Sequence, residues 1–417
     1  MKLLWLNANL LLPLDKGGKL RTWHLMRHLA RRHDITYLSF AEPGTPRALI
    51  DGMSEVCTRV ETVPRVDVEK ASASFYADVL KHLFDPLPYA VAKYRSAAFA
   101  GRLQTLLDGE RFDLVVCDFL VPAVNLPASL PCPTVVFTHN VEAEIWRRRA
   151  TTARSPIKRH LFRLQWRRML GFERETLARF GLVLAVSEGD RDTFARLYGD
   201  RVPAPVLVVR TGVDTSYFAP APPAAEPRRL VFTGSMDWGP NEDAMLFFVR
   251  DVLPRIRREE PAITLSIVGR RPTPAVRALG REHGVEVTGS VDDVRPHIAK
   301  AAVYVVPLRI GGGTRLKIFE AMAMRKAVVS TTVGAEGLPV TPGRDILLED
   351  EADGFASAVV SLLRNDVRRA DLERRARALV VGRYDWAAVG RDLERALVSF
   401  AGVSPNQAVA ASRVTAR

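Results

Sequence analysis

Short runs of apolar residues, many of them β-branched, recur along this chain, and each run ends in glycines or polar side chains. Short apolar runs without alternation predict strands that are buried on both faces, as in parallel sheets. The runs cover residues 3–6, 35–40, 114–117, 134–137, 182–186, 230–232, 263–268, 285–288 and 302–306. This pattern predicts an α/β protein.

The first run belongs to a predicted βαβ unit. A loop over residues 10–18 follows the strand at 3–6, and a helix over 19–32 leads to the strand at 35–40. The apolar face of that helix is predicted to carry Leu20, Trp23, Met26 and Leu29. Units of this kind build doubly wound parallel sheets, whose ligands lie at the carboxyl ends of the strands.

A second series of strands begins after a segment rich in proline and alanine, residues 218–227. A chain of 417 residues also exceeds a single hydrophobic core. We therefore predict two Rossmann-like, doubly wound domains, residues 1–212 and 229–384, joined by a linker at 213–228. Residues 401–417 are predicted to form a flexible tail.

Glycines follow strand ends in both predicted domains, where backbone amides can approach a phosphate closely. The candidates in the first domain are Gly17 and Gly18. Those in the second domain are Gly234, Ser235, Gly269, Ser290, Val291, Gly311, Gly312, Gly313 and Thr314. The chain has no GxxxxGK(S/T) loop, which argues against an ordinary P-loop nucleotide hydrolase.

Arg315 and Lys317 follow the last glycines, in the first turn of a predicted helix. A cation there opposes the helix dipole by up to about 1 kcal/mol, a cost expected where an anion binds. Both residues are therefore candidate catalytic cations. The alternative is a solvated turn in which Lys317 pairs with Glu320, three residues further on. The stretch by itself leaves both interpretations open.

Polar side chains also follow the strands of the first domain. His139 comes directly after the run at 134–137 and is a candidate contact to a reacting group. A structural histidine that is capped or hydrogen-bonded is the alternative. Ser187 is predicted to cap the next helix rather than act as a nucleophile. Asp190 and Asp192 are predicted to support the start of that helix rather than bind a metal.

The formal net charge is +13, of which +9 lies in residues 1–212. Such a charge favours phosphate-rich partners: a nucleotide, a nucleic acid or an anionic lipid surface. Basic residues dominate the stretch from 147 to 179, which predicts a helix that binds a membrane surface or a nucleic acid. A core-packed helix with a basic outer face is the alternative.

The cysteines and the chain start indicate the compartment. Cys57, Cys117 and Cys132 show no metal or redox spacing, which predicts a reduced compartment without disulfides. Asn7 and Asn9 interrupt the first apolar run and no cleavage signal follows, so we predict a buried first strand rather than a signal peptide. No apolar segment reaches the roughly 18 to 20 residues that would span a membrane.

Taken together, these positions resemble glycosyltransferase family 4, the retaining GT-B enzymes, and within it the bacterial sugar transferases with a GGGTRLK-type loop. The matching positions are Gly17-Gly18, His139, Gly212-Val213-Asp214, Gly234, Gly269, Glu320 and Tyr384-Asp385-Trp386. The resemblance implies two domains that face a cleft, with the acceptor on the first and a nucleotide-sugar donor on the second. It also implies that the last helix, about residues 385–400, packs back on the first domain.

Roles follow from the resemblance by position. Glu320 would bind the ribose hydroxyls of the donor, residues 311–314 would hold its diphosphate through backbone amides, and His139 would lie beside its sugar. Gly17 and Gly18 would face the diphosphate.

Two features of the family are missing. Many members carry a glutamate eight residues before Glu320, where this chain has Gly312. Many also carry an arginine and a lysine after the first glycine of the second domain, where Ser235 and, approximately, Asn241 stand. Arg315 and Lys317 would supply the replacement charge.

The resemblance implies a hexosyltransferase-like enzyme that transfers a sugar to a glycan or lipid-linked acceptor with retention of configuration, in cell-surface or exopolysaccharide synthesis. It would work in the cytoplasm or peripherally at the inner face of the cytoplasmic membrane, with an anionic membrane surface as a further partner. No metal, no cofactor beyond the nucleotide-diphosphate-sugar substrate and no nucleic acid is expected. Two other classes stay open: a nucleotide-sugar epimerase on the same fold, and a non-catalytic basic protein that binds membranes or nucleic acids.

Overall fold

The chain is described by a computed structural model that covers residues 1–15, 17–66, 72, 78–82, 84–153, 155–222, 225–310 and 316–402. It divides into two units. The first unit holds Met1–Arg210 together with the residues from Val389 onward, and the second holds Thr211–Ala388. In the described part of the chain, no helix is both long enough and apolar enough to cross a membrane.

The first unit contains a seven-stranded parallel sheet with the order β3-β2-β1-β4-β5-β6-β7. Its strands are β1 Lys2–Leu6, β2 Asp34–Ala41, β3 Arg59–Pro64, β4 Leu114–Asp118, β5 Thr134–Phe137, β6 Leu182–Ala185 and β7 Val206–Val208. Its helices are α1 Gly17–Leu29, α2 Arg47–Gly52, α3 Tyr89–Ala92, α4 Ala97–Gly109, α5 Glu142–Thr152, α6 Pro156–Leu177 and α7 Glu188–Tyr198. The strand order reverses between β1 and β4, which is where doubly wound sheets bind ligands.

The second unit repeats this arrangement with a six-stranded parallel sheet of order β10-β9-β8-β11-β12-β13. Its strands are β8 Arg229–Thr233, β9 Thr264–Val268, β10 Val285–Gly289, β11 Val303–Val306, β12 Ala327–Ser330 and β13 Leu347–Leu348. Its helices are α8 Gly239–Phe247, α9 Leu253–Glu259, α10 Pro274–Leu279, α11 Arg295–Lys300, α12 Leu316–Ala323, α13 Ala352–Arg364 and α14 Asp366–Arg383, and the last helix within the described residues is α15 Trp386–Phe400. The sheet order reverses between β8 and β11.

The predicted α/β class with two parallel, doubly wound sheets is confirmed, because each apolar run forms a strand and all of these strands except the edge strand β10 are largely buried. The first helix differs from the prediction: it starts at Gly17 and ends at Leu29, and Leu20 is 38% exposed instead of buried. Four strands have no counterpart in the pattern, namely β3, β7, β12 and β13. They are short or lie near a sheet edge, where pairing with a neighbour decides the conformation more than composition does.

The segment predicted as a linker, residues 213–228, belongs to the second unit. Its start is tied by backbone hydrogen bonds to the end of α14. The Val213 N–H donates to the Tyr384 carbonyl at 2.7 Å, and the Trp386 N–H donates to the Val213 carbonyl at 3.2 Å. A side chain at Gly212 would collide with the Trp386 ring, 2.6 Å away.

The last helix is anchored within the first unit by one carboxylate. Glu394 on α15 accepts from His28 Nε2 at 3.2 Å and from His33 Nε2 at 3.1 Å. The His33 Nδ1 lies 3.2 Å from the ammonium of Met1, and burial next to this positive N-terminus lowers the pKa of His33. Close packing accompanies these bonds, because a Cβ at Gly390 would lie 2.4 Å from the His28 ring.

Replacing Glu394 by alanine is expected to destabilise the fold by about 1–3 kcal/mol, because the buried His33 ring would lose its acceptor. The check is the melting temperature of the variant. Asp392→Ala is the matched control, because Asp392 pairs with an exposed arginine on the same helix and such pairs contribute little. An equal effect of both substitutions would contradict the anchoring role of Glu394.

Candidate active site

Two glycines follow neighbouring strands of the second unit and leave no room for side chains. Gly234 follows β8 and Gly269 follows β9. A Cβ at Gly269, where φ is +156°, would lie 1.6 Å from the Gly234 carbonyl oxygen. A Cβ at Gly234 would lie 2.7 Å from Lys317 Nζ and from Asn241 Nδ2. The glycines therefore let a lysine and an amide approach the bare backbone at the strand ends.

Lys317 lies in the first turn of α12, where the sequence places a cation against the helix dipole. Its Nζ donates to Asn241 Oδ1 at 3.0 Å and lies 4.1 Å from the centroid of the Phe232 ring. The Asn241 amide is oriented by a second bond, from its Nδ2 to the Ser235 carbonyl at 2.8 Å. The ammonium is thus held beside Gly234, at the switch point of the sheet.

Glu320 follows Lys317 by about one turn of α12. Burial raises the pKa of its carboxyl to about 7, and the positive charge of Lys317 opposes this shift. A carboxyl in this state exchanges its proton near neutral pH. A perturbed carboxyl beside a lysine, in a cavity, is typical of a binding or catalytic site.

These residues line one cavity of the second unit, with a volume of about 740 Å³. This size is in the range of small-molecule and cofactor sites. Its lining includes seven of the residues that the sequence predicted, namely Gly234, Ser235, Gly269, Ser290, Val291, Lys317 and Glu320. The other predicted residues of this site, Gly311, Gly312, Gly313, Thr314 and Arg315, lie outside the described residues.

The cavity also contains side chains that sequence reasoning missed. Phe218 comes from the segment predicted as a linker, and Trp238, Asn241, Arg270 and Val294 are further examples. Arg270 and Asn241 follow the strand-end glycines closely in sequence, so position after a strand could have identified them. Phe218 had no such signal, because it precedes β8 by eleven residues.

In the first unit, Gly17 and Gly18 form the start of α1. A Cβ at Gly18 would lie 2.6 Å from the Phe119 ring, so the packing of Phe119 against α1 leaves no room for a side chain at this position. Phe119 follows β4 and has a φ of 66°, which is uncommon for a bulky residue and marks strain at many functional sites.

His139 is held on both sides in a buried network. Its Nε2 lies 2.7 Å from Asp118 Oδ1, its Nδ1 lies 3.0 Å from a guanidinium nitrogen of Arg21, and its ring stacks on Phe119 at 3.8 Å between centroids. Burial lowers the pKa of His139, so the ring is neutral at physiological pH. This geometry fits the alternative given above, a structural histidine that is hydrogen-bonded. A direct role for His139 in the reaction stays a prediction.

Sequence reasoning missed Asp118 and Arg21. Asp118 directly follows the apolar run of β4, so the rule that identified His139 could have identified it as well. Arg21 lies inside the predicted helix, where nothing distinguishes it from a solvated residue. Ser187, in contrast, caps α7 as predicted, since its side chain accepts from the Asp190 N–H at 3.1 Å.

Two family models match the chain. The model described as Glycosyltransferase Family 4 matches residues 16–217, and the model described as Glycosyl transferases group 1 matches residues 227–365. This chain belongs to glycosyltransferase family 4. The family predicted from the motifs is thus confirmed, and both units of the family 4 chain are matched.

Curated relatives match the family 4 chain over part of their length. A phosphatidyl-myo-inositol mannosyltransferase from Mycolicibacterium smegmatis is 31% identical over 217 residues, which are 49% of this chain and 55% of the relative. The GDP-mannose-dependent monoacylated alpha-(1-6)-phosphatidylinositol monomannoside mannosyltransferase of Corynebacterium glutamicum is 26% identical over 45% of this chain and 55% of its own length. The chain spans about half the length of the curated relatives it matches.

A solved structure shows the same fold over nearly the whole chain. Anabaena HepE in complex with UDP and glucose has a TM-score of 0.62 at 16% identity, and the match covers 96% of this chain and 100% of HepE. The predicted GT-B fold, with its two Rossmann-like domains, is therefore confirmed.

Proposed function

We propose that this family 4 chain transfers a sugar from a nucleotide-diphosphate-sugar to a glycan or lipid-linked acceptor, with retention of anomeric configuration. The observation that carries the proposal is that Lys317 and Glu320 line the same 740 Å³ cavity at the strand ends of the second unit. One cation and one carboxylate, about a turn apart on α12, match the diphosphate and the ribose of such a donor.

The donor's leaving group gains negative charge as the bond to the sugar breaks. A preorganised ammonium beside bare backbone stabilises that charge without a metal ion, and we assign this role to Lys317. Arg315 is proposed as the second cation, and the amides of residues 311–314 as further donors to the diphosphate. Ser290 and Val291 line the same cavity and are proposed to contact the nucleoside.

Retention is proposed to occur by attack on the same face that the diphosphate leaves. Position 312 is a glycine, so no carboxylate stands there to form a covalent intermediate. The departing phosphate oxygen would then take the proton of the acceptor hydroxyl as the new glycosidic bond forms. The names of the mannosyltransferase relatives support a hexose donor and a lipid-linked acceptor. A role in cell-surface or exopolysaccharide synthesis follows from that acceptor class.

The test is incubation of the full chain with a panel of nucleotide-diphosphate-sugars and measurement of nucleoside diphosphate release. Release that depends on an added glycan or lipid acceptor, with the product's anomeric configuration equal to the donor's, is expected. Conversion of the donor to an epimer without an acceptor would instead establish the epimerase alternative. Absence of any turnover across the panel, with no binding of nucleoside diphosphates, would refute the proposal.

We further propose that the enzyme works at an anionic membrane surface, on its cytoplasmic side. Between Ile145 and Phe172 the sequence has nine lysines and arginines and no acidic residue. Within this stretch the α6 side chains of Ile157 and Leu161 are 74% and 41% exposed. Basic residues around exposed apolar ones are the composition of a surface that binds anionic lipid.

The neighbouring segment adds to this surface. The Tyr89 N–H donates to Gln165 Oε1 at 2.8 Å, which places α3 against α6 one turn beyond Leu161. Leu80 and Phe84, shortly before α3, are 64% and 88% exposed. Apolar side chains are therefore exposed on α6 and in the segment that precedes α3.

Vesicle sedimentation tests the membrane proposal. The double variant Ile157→Ser, Leu161→Ser is expected to bind vesicles with anionic lipid about tenfold more weakly, since it loses apolar burial of roughly 1.5 kcal/mol or more. High salt should weaken the wild type as well. Val367→Ser, which changes an 82% exposed residue of the second unit, is the control. Equal binding to neutral and anionic vesicles would contradict the proposal.

A further inference from the structure

The first unit contains a fully buried carboxylate with donors on both oxygens. Asp118 Oδ2 accepts from Asn7 Nδ2 at 2.6 Å and from Thr22 Oγ1 at 2.7 Å. Its Oδ1 accepts from His139 Nε2 at 2.7 Å. The Asn7 amide nitrogen can only donate, and burial of a carboxylate is tolerated only when it is hydrogen-bonded and close to a positive charge.

The contact between His139 and Arg21 settles which nitrogen of the ring carries the proton. The Arg21 guanidinium has donors and no acceptor, and it lies 3.0 Å from His139 Nδ1. That nitrogen must therefore offer its lone pair, and the proton must lie on Nε2, facing Asp118. The two neighbours thus select the same tautomer from opposite sides of the ring.

We propose that Asp118 is the positioning residue of the first unit: it holds His139 as the Nε2–H tautomer, and His139 in turn holds the Arg21 guanidinium toward an oxygen-bearing group of the acceptor. Asp118 and His139 are buried, whereas Arg21 is partly exposed and lies one turn after the Gly17-Gly18 start of α1. Arg21 is the most exposed member of this chain of contacts. The inference rests on the proposed function and on the family resemblance, which implies that the first unit binds the acceptor.

The alternative is that Asp118 only fixes α1 and the first strand to each other through Thr22 and Asn7. The two possibilities differ in what Asp118→Asn does. The Asn7 amide nitrogen still needs an acceptor oxygen, so the new amide nitrogen of residue 118 faces His139 Nε2. The histidine must then carry its proton on Nδ1, which points at the donors of Arg21 and displaces them.

The measurement is the tautomer of His139 in the full chain, read from ¹⁵N side-chain NMR, with His139→Gln used to assign its signal among the eight histidines. Asp118→Asn is expected to convert the Nε2–H tautomer to the Nδ1–H tautomer. In parallel, the KM for the acceptor should rise roughly ten- to hundredfold, as for a misplaced binding group, with a much smaller change in the KM for the donor. Arg21→Gln should raise the acceptor KM likewise and leave the tautomer unchanged.

If Asp118→Asn does not fold, two substitutions of His139 keep the inference testable. A glutamine in place of His139 can accept from Arg21 and donate to Asp118, whereas a leucine there can do neither. We expect the acceptor KM of His139→Gln to be about tenfold lower than that of His139→Leu. Equal values would overturn the inference, as would a wild-type ring with its proton on Nδ1.

The inference and the proposed function fail in different ways. An unchanged tautomer in Asp118→Asn, in an enzyme that transfers sugar, would overturn the inference alone. If Arg21→Gln changed only the KM for the donor, the assignment of Arg21 to the acceptor would be overturned. A wild type that turns over no donor would refute the proposed function, while a tautomer change in Asp118→Asn would still support the positioning of His139 by Asp118.

Discussion

Lys317→Gln is expected to lower kcat/KM for the nucleotide-sugar by a factor of about 10² to 10³, while a nucleoside monophosphate binds nearly as well as before. The reason is that the charge facing the Lys317 ammonium grows only as the sugar leaves the diphosphate, so its loss weakens the transition state more than the ground state. Steady-state kinetics give kcat/KM for the nucleotide-sugar, and calorimetry gives the affinity for the nucleoside monophosphate. Near-normal turnover would exclude the cation from the reaction.

The structure provides a rescue experiment for this prediction. Lys317 Nζ donates a hydrogen bond to Asn241 Oδ1, so the lysine and the asparagine can be exchanged. The double variant Lys317→Asn, Asn241→Lys is expected to recover a measurable part of the lost kcat/KM, because the ammonium then reaches the same place from α8. Lys300→Gln, at the end of α11 and outside the cavity lining, is the control. Arg315→Gln, made in parallel, tests the second proposed cation.

The thermal stability of Lys317→Gln shows whether Lys317 acts in the reaction or only holds the fold together. Removing a cation from the first turn of α12 relieves the dipole, and losing the contacts to Asn241 and the Phe232 ring opposes that gain. The melting temperature of Lys317→Gln should therefore stay within a few degrees of the wild type. A large drop would mean that the loss of activity reflects unfolding.

Glu320→Ala is expected to weaken binding of the nucleoside diphosphate by roughly 1.5–3 kcal/mol, the value of a charge-assisted hydrogen bond. Calorimetry of the folded variant checks this value. A matched control is the same substitution at Glu336, an exposed residue of the second unit that does not line the cavity. Unchanged affinity in Glu320→Ala would remove this residue from the site.

Because the pKa of Glu320 is raised, both the stability of the protein and its affinity for the donor should depend on pH. Between the ordinary value of 4.5 and about 7, the folded protein holds a proton on Glu320 that the unfolded chain has lost, so this group's contribution to stability falls as pH rises. Donor binding should respond in the opposite sense. The ionised carboxylate is the better acceptor, so affinity for an intact nucleotide-sugar should rise between pH 6 and pH 8, roughly around neutrality. Glu320→Gln should bind with little pH dependence, and a parallel slope in both proteins would contradict the assignment.

Rules about strand ends recovered much of the candidate site of the second unit. Gly234, Gly269 and Ser290 were predicted because each follows an apolar run, and parallel strands bring their carboxyl ends to one edge. Lys317 was predicted because a cation in the first turn of a helix indicates an anion to bind, and Glu320 because its position matches the ribose-binding glutamate of the family that the chain resembles. The sequence could group these residues because the inferences concern neighbours in the chain, whose geometry the backbone periodicity controls.

The partners of these residues could not be predicted in the same way. Asn241 lies 76 residues before Lys317, and Arg21 lies 118 residues before His139. Their contacts depend on which helices the two sheets bring together and on the rotamers that packing allows. A sequence pattern contains no information on either the neighbouring helices or the rotamers. The membership of Phe218 in the cavity has the same origin, because it comes from a segment without periodicity.

What the sequence by itself determined is the class of fold, the two sheets, the family and the strand-end positions that line the candidate site, because hydrophobic periodicity and glycine placement are local properties. What only the tertiary structure decided is the state of the polar groups. It placed the Lys317 ammonium against Asn241, raised the pKa of Glu320 by burial and selected one tautomer of His139 between Asp118 and Arg21. Protonation and hydrogen-bond direction depend on desolvation and on charges distant in sequence, so they become defined only when the chain is packed.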